Sequence, residues 1–179
     1  AWWPHVEAGA EAIVITASGC APMVRDYGKA LADDADYAGK AARISELALD
    51  ISTVIDAEPL ADCLARDADG QSIAFHSPCT LQHGQGITGV VERLLQSAGY
   101  VLQPVTDSHL CCGSAGTYSI LQPELSAQLR DNKLGALQAG EPAAIATANI
   151  GCLAHMSGHA EVPVRHWIEL LEPLLPEAR

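Results

Sequence analysis

The chain alternates short apolar runs with longer stretches of helical periodicity, and that alternation narrows its fold more than any other feature. The runs AIVITA (12–17), SIAFHS (72–77), YVLQPV (100–105), AAIATAN (143–149) and VPVRH (162–166) carry apolar residues on both parities. A strand with one wet face would alternate. Strands apolar on both parities belong to parallel sheets covered on both sides. Between them, apolar spacing predicts helices over roughly 21–32, 38–56, 86–98, 123–139 and 165–175. In GITGVVERLLQSAG (86–99), Ile87, Val90, Val91, Leu94 and Leu95 recur at helical spacing, and Gly99 can end the helix. Pro123 is suited to the first turn of the next helix. The expected fold class is α/β, with duplicated Rossmann-like units whose mostly parallel sheets are flanked by helices. In such folds the active groups sit beyond the carboxyl ends of the strands.

Two segments share a design. AIVITASGCAPM (12–23) and AIATANIGCLAHM (144–156) each run from an apolar strand through Thr-Ala to Gly-Cys, then to Met23 or His155. This suggests a duplicated unit. The turn-rich RDADGQS (66–72) is the best internal boundary. Residues 1–66 are then the end of a first unit with connecting helices, and 67–179 are a second unit. The opening AWWPHVEAGA reads as the tail of a helix, so the chain is expected to be a C-terminal fragment of a longer protein.

Three of the apolar runs lead into cysteine. SIAFHSPC delivers Cys79, YVLQPVTDSHLCC delivers Cys111 and Cys112, and AAIATANIGC delivers Cys152. Parallel strands of one polarity end at one edge, so four thiols from three strands can converge there. A disulfide between neighbours in sequence is strained, and a core has no need of paired thiols. Thiolates are the preferred ligands of iron–sulfur clusters and also suit zinc. The loop Gly113-Ser114-Ala115-Gly116 has little bulk, and its N–H groups can approach cluster sulfides. Gly151 allows a close turn, and Cys152 is placed to begin a helix whose dipole favours thiolate. Cys63, on the helical pattern LADCLARD, reads instead as a small buried hydrophobe. His76, His83 and His109 read as neighbouring or surface histidines, with His83 best placed to face the site because it follows Cys79 by one turn.

Composition narrows the partners. A net charge of −12 in 179 residues argues against nucleic acid. No basic and apolar leader is visible, and no apolar run approaches the ~18 residues of a spanning helix. Six cysteines without an export signal suit a reducing compartment, where clustered thiols are metal or redox groups. The chain shows no Gly-rich dinucleotide fingerprint, no phosphate loop and no acid–base or nucleophile set, so no catalytic residue is assigned.

HSPCTLQHGQ, CCGSAGTYSILQPELS and NIGCLAH resemble the second cysteine-rich CCG repeat of the glycolate oxidase iron–sulfur subunit. The wider relatives of that family include the B subunit of heterodisulfide reductase. The family pattern is Cys, some thirty residues, Cys-Cys-Gly, some forty residues, then Cys-x-x-Cys. Here 31 residues separate Cys79 from Cys111, and 39 separate Cys112 from Cys152. The tail PVRHWIELLEPLL and the opening AWWPHVEAGAEAIVITASGC are similar to the same family, so the resemblance covers essentially the whole chain. It implies a 4Fe-4S cluster held by Cys79, Cys111, Cys112 and Cys152 with Gly113 at the turn. His155 stands where the family has its last cysteine, and would be a further metal ligand. Met23 stands at the matching position after Cys20, which is either vestigial or a ligand without its partners. The resemblance further implies an electron-transfer subunit of a glycolate oxidase complex. Its partners would be a FAD-bearing subunit that oxidises glycolate to glyoxylate, the other subunits of the complex, and a quinone-type acceptor. The location would be cytoplasmic, with peripheral attachment to the inner face of the membrane. The alternatives are a heterodisulfide reductase-like thiol/disulfide redox subunit, a zinc-binding structural module, and an α/β scaffold that docks the flavin subunit.

Overall fold

The computed structural model describes residues 1–59, 63–65 and 67–176. A first part runs α1 (Trp3–Glu7), β1 (Ile13–Ile15), α2 (Ala21–Arg25), α3 (Tyr27–Ala30), α4 (Ala38–Leu47), β2 (Ala48–Asp50) and α5 (Ile51–Asp56). A second part runs β3 (Ser72–His76), a π-helical turn (Thr80–Gly84), α6 (Val90–Ser97), β4 (Val101–Leu102), α7 (Tyr118–Leu121), α8 (Pro123–Gln138), β5 (Ala144–Thr147), α9 (Ile150–Ser157) and β6 (Val164–His166). Two 3-10 turns, Trp167–Leu170 and Glu172–Leu174, follow.

Among the described residues every strand pairing is parallel. β1 and β2 form a two-stranded sheet, and the second sheet has the order β4-β3-β5-β6. All five expected strands are present, shorter than their apolar runs. The β3–β5 register sets Ala74 beside Ile145 and His76 beside Thr147. Residues alternate between faces of this sheet. Ile73, Phe75, Ala144 and Ala146 enter one core with Val91, Leu94 and Leu95 of α6 and with Trp167, Leu170 and Leu174. Ala74 and Ile145 enter a second core with Leu134 and Leu137 of α8, Met156 of α9, Cys112 and Cys152. The cysteine-bearing face is therefore the one covered by α8 and α9.

Four helix boundaries differ from expectation, each for a local reason. The expected 38–56 helix is interrupted by β2, which pairs with β1. There Asp50 accepts hydrogen bonds from Ser52 N (2.9 Å) and Ser52 Oγ (2.7 Å), capping a fresh helix. The expected 21–32 helix breaks between α2 and α3 because Ser45 inserts into its ladder. Ser45 Oγ donates to Val24 O (3.1 Å) and accepts from Gly28 N (2.9 Å), replacing the direct Val24–Gly28 bond. Helix α6 starts late because Gly86 and Gly89 hold φ of +70° and +72°. At the C-terminal end, where a helix over 165–175 is expected, β6 runs to His166 and only two 3-10 turns follow, with Pro173 inside the second bringing no N–H to a helical ladder.

The two parts touch at their strand ends. Ser18 N donates to Ala148 O (3.0 Å), Gly19 N donates to Asn149 Oδ1 (3.3 Å), and Ser18 Oγ lies 3.0 Å from Thr80 Oγ1. Among the described residues, no helix is long and apolar enough to cross a membrane.

Candidate metal centre

Cys79 follows β3 and caps the π-helical turn, a geometry that occurs often at functional sites. Cys111 and Cys112 lie in the long loop after β4, and Cys152 lies in the first turn of α9 after β5. The three strands are parallel, so these four thiols meet at one sheet edge. Their contacts run in sequence order: Cys79 meets Cys111, Cys111 meets Cys112, and Cys112 meets Cys152. Cys112 and Cys152 are buried; Cys79 and Cys111 are partly exposed.

The loop is shaped by Gly113. Its φ is +87°, and a Cβ there would lie 2.4 Å from Ser126 O. Only glycine fits. Gly113 N donates to Cys111 Sγ (3.3 Å), and Gly113 O accepts from Ser126 Oγ (2.8 Å). Below the loop, buried Lys133 donates to Asp107 O (2.9 Å) and Ser108 O (3.2 Å), fixing the segment that leads to the cysteines. A cavity of about 220 Å³, lined by Leu110, Cys111, Leu129 and Lys133 among others, opens beside Cys111.

The thiols are not electrostatically equal. Contact with Cys112 and burial push Cys111 far up. Cys112 is lowered by Cys111 but raised more by Cys152 and burial, ending at about 12. Burial and Cys111 raise Cys79. Cys152 alone is lowered, by contact with the Cys112 thiol, against burial and with help from Asn149. Asn149 Nδ2 donates to Cys152 Sγ at 3.4 Å. In the metal-free protein most of the set is thus neutral thiol at pH 7, and metal uptake must expel protons.

The histidines divide between surface and core. His83 is exposed, and so is His109. His76 is 2% exposed, and its ligand atom, with those of Cys112 and Cys152, forms a group whose atoms all lie within 4.8 Å of one another. Burial and the Lys133 charge lower its pKa to about 3. The alternation of β3 could have marked it: His76 shares parity with Ala74, the face that carries the cysteines. His155 Nε2 sits 3.2 Å from Ser126 Oγ, beside the Gly113 turn. Gly151 lies inside α9 without positive φ; its carbonyl accepts from Ser114 Oγ (3.1 Å). Cys63 is exposed and not the buried hydrophobe expected, and part of its helical pattern lies outside the described residues. Cys20 is exposed and caps α2.

The chain is similar to known proteins over this region. Residues 73–157 match the model of the CCG cysteine-rich domain. The glycolate oxidase iron-sulfur subunit of Escherichia coli (strain K12) is 54% identical over 175 residues, covering 98% of this chain and 42% of that protein. The probable glycolate oxidase iron-sulfur subunit of Bacillus subtilis (strain 168) is 29% identical over 147 residues, covering 82% of this chain and 33% of that protein. Lactate utilization protein A of Anoxybacillus flavithermus is 27% identical over 169 residues, covering 90% of this chain and 70% of its own length. The chain therefore spans less than half the length of the first two relatives.

Proposed function

We propose, from the match of residues 73–157 to the cysteine-rich CCG domain, that this chain is the cluster-bearing part of a glycolate oxidase iron–sulfur subunit. Its role is electron transfer, from a FAD-bearing partner that oxidises glycolate to glyoxylate towards a quinone-type acceptor. The observation that carries the reading is the run of contacts Cys79–Cys111–Cys112–Cys152 at one edge of a parallel sheet. Soft sulfur donors in that number suit an iron–sulfur cluster, and the buried, unpartnered ring of His76 marks a place where the protein lacks a polar partner. An iron–sulfur cluster, when bound, supplies reversible one-electron chemistry, and the reading takes it as 4Fe-4S.

The residues divide the work. Cys79, Cys111, Cys112 and Cys152 hold the group. Gly113 keeps the two adjacent thiols on one turn and directs its N–H at Cys111. Asn149 donates to Cys152, which disperses charge on that sulfur. Lys133 places a cation near Cys112 and Cys111, favouring electron-rich states. Sheet and helices α8 and α9 exclude water from one side, and the cavity at Cys111 leaves the other approachable. Residues 1–66 are read as the end of a first repeat and 67–179 as the second. Peripheral attachment to the inner face of the cytoplasmic membrane belongs to the same reading.

One observation favours a second reading. His76, Cys112 and Cys152 form a compact mixed nitrogen–sulfur set of the kind zinc takes. Anaerobic purification with iron, zinc and acid-labile sulfide analysis, and EPR before and after dithionite, separates the two. About four irons and four sulfides per chain with a reducible signal are expected; zinc without sulfide would replace the electron-carrier reading. Cys111→Ser and Cys112→Ser are each expected to abolish metal binding while far-UV circular dichroism stays that of the α/β core. Full iron and sulfide in either variant would sink the assignment.

A further inference from the structure

We infer that His76, the last residue of β3, supplies an imidazole ligand to the metal centre, so that the non-cysteine donor comes from the sheet and not from His155. The inference rests on the metal-binding reading above. His76 is 2% exposed, and among the described residues neither of its buried ring nitrogens has a hydrogen-bond partner. Orphaning a buried polar group costs about 1–3 kcal/mol, and such groups are normally paired. A ring left with neither nitrogen satisfied, yet set beside two buried sulfurs, marks a missing acceptor of its lone pair. Its ligand atom lies within 4.8 Å of Cys112 Sγ and Cys152 Sγ.

His155 is differently employed. Its Nε2 lies 3.2 Å from Ser126 Oγ, whose hydroxyl proton goes to Gly113 O at 2.8 Å. Ser126 has one proton to give. The His155 contact is therefore Nε2–H donating to Ser126 Oγ, and what separates the two rings is position: among the described residues the 4.8 Å group takes in His76, Cys112 and Cys152 and not His155. His76 also has a supporting group at hand. Metal-ligating histidines usually donate their second N–H to an outer partner. Thr147 faces His76 in the β3–β5 register, on the same side of the sheet, and its Oγ1 is buried and likewise unpartnered. Two orphans at one level of neighbouring strands form a pair once the ring turns to a metal.

Pulsed EPR on the anaerobically purified, iron-loaded protein, reduced with dithionite and isotope-labelled only at histidine nitrogen, tests this directly. The expected result is the strong coupling of a bound imidazole in the wild type, kept in His155→Leu and lost in His76→Leu and His76→Asn. If neither His76 variant folds, the wild-type and His155→Leu spectra still decide. Full iron and sulfide without a histidine coupling, or a coupling that disappears in His155→Leu, overturns the inference and leaves the proposed function standing. Zinc without sulfide overturns the proposed function. X-ray absorption at zinc then reads the same question, a His76-dependent nitrogen in the shell supporting the inference and an all-sulfur shell overturning it. A protein that takes up neither metal overturns both.

Discussion

At the scale of single residues, the site depends on two positions that carry no sulfur. Gly113 combines φ +87° with a Cβ position 2.4 Å from Ser126 O. Gly113→Ala is expected to cost about 2–5 kcal/mol, from backbone strain and overpacking, and to strip most of the metal. Urea unfolding and metal analysis on one preparation check this, and a variant that retains both would show that the turn can open. His76 makes the metal-free protein acid-sensitive. Its pKa is 6.5 in an unfolded chain and about 3 when folded. Above pH 6.5 both states are neutral and nothing is lost. As pH falls below that value the unfolded state takes up a proton that the folded state refuses, so stability drops by about 1.4 kcal/mol per pH unit until the folded pKa is reached. The urea midpoint of metal-free wild type is expected to fall between pH 6.5 and 4.5, with a shallower slope in His76→Asn. The four thiols were legible in the sequence because each follows an apolar run. The histidines were less so: nearness in sequence favoured His83, which lies exposed on the π-helical turn, while the two-residue period of β3 puts His76 on the cysteine face.

At the scale of elements, the strands were legible and the helix boundaries were not, for one physical reason. Parallel strands covered on both faces are written in the sequence as continuous apolar runs, and all five appear where expected. Helix ends depend on partners distant in the chain. Ser45 breaks the α2–α3 ladder from 21 residues away, and β2 exists because β1 offers it a hydrogen-bonding edge. Local periodicity contains neither fact. Helix α6 is the case where periodicity sufficed, because Val91, Leu94 and Leu95 all face the larger core. Leu95 is fully buried there. Leu95→Ala is expected to cost about 2–5 kcal/mol with the EPR signal of the folded, loaded protein unchanged, since α6 covers the face opposite the cysteines. Thermal melts with EPR on the same samples check this; a changed signal would mean the two faces of the sheet are coupled.

At the scale of the whole molecule, the loop and helices that carry the later thiols also carry apolar side chains in water. Ile120 is 76% and Leu121 72% exposed on α7, and Leu110 beside Cys111 and Ile150 beside Cys152 are exposed as well. Such a rim suits docking of an electron-transfer partner. Under the proposed function, Ile120→Asp with Leu121→Asp is expected to slow reduction by the proposed flavin-bearing partner at least tenfold, on the order of 1.4 kcal/mol of lost docking, with iron content unchanged. Stopped-flow reduction with the purified partner reads this, and an unaltered rate would place the entry point elsewhere. The order in which the thiols occur along the chain has a consequence for biosynthesis. Cys79, Cys111 and Cys112 emerge early, but Cys152 comes after α8 and β5, and only a completed sheet brings it to the others. During translation the early thiols have no fourth companion and no buried chamber. A nascent chain interrupted before Cys152 can hold metal only weakly, so retention of iron reports that synthesis passed that point and that the sheet closed behind it.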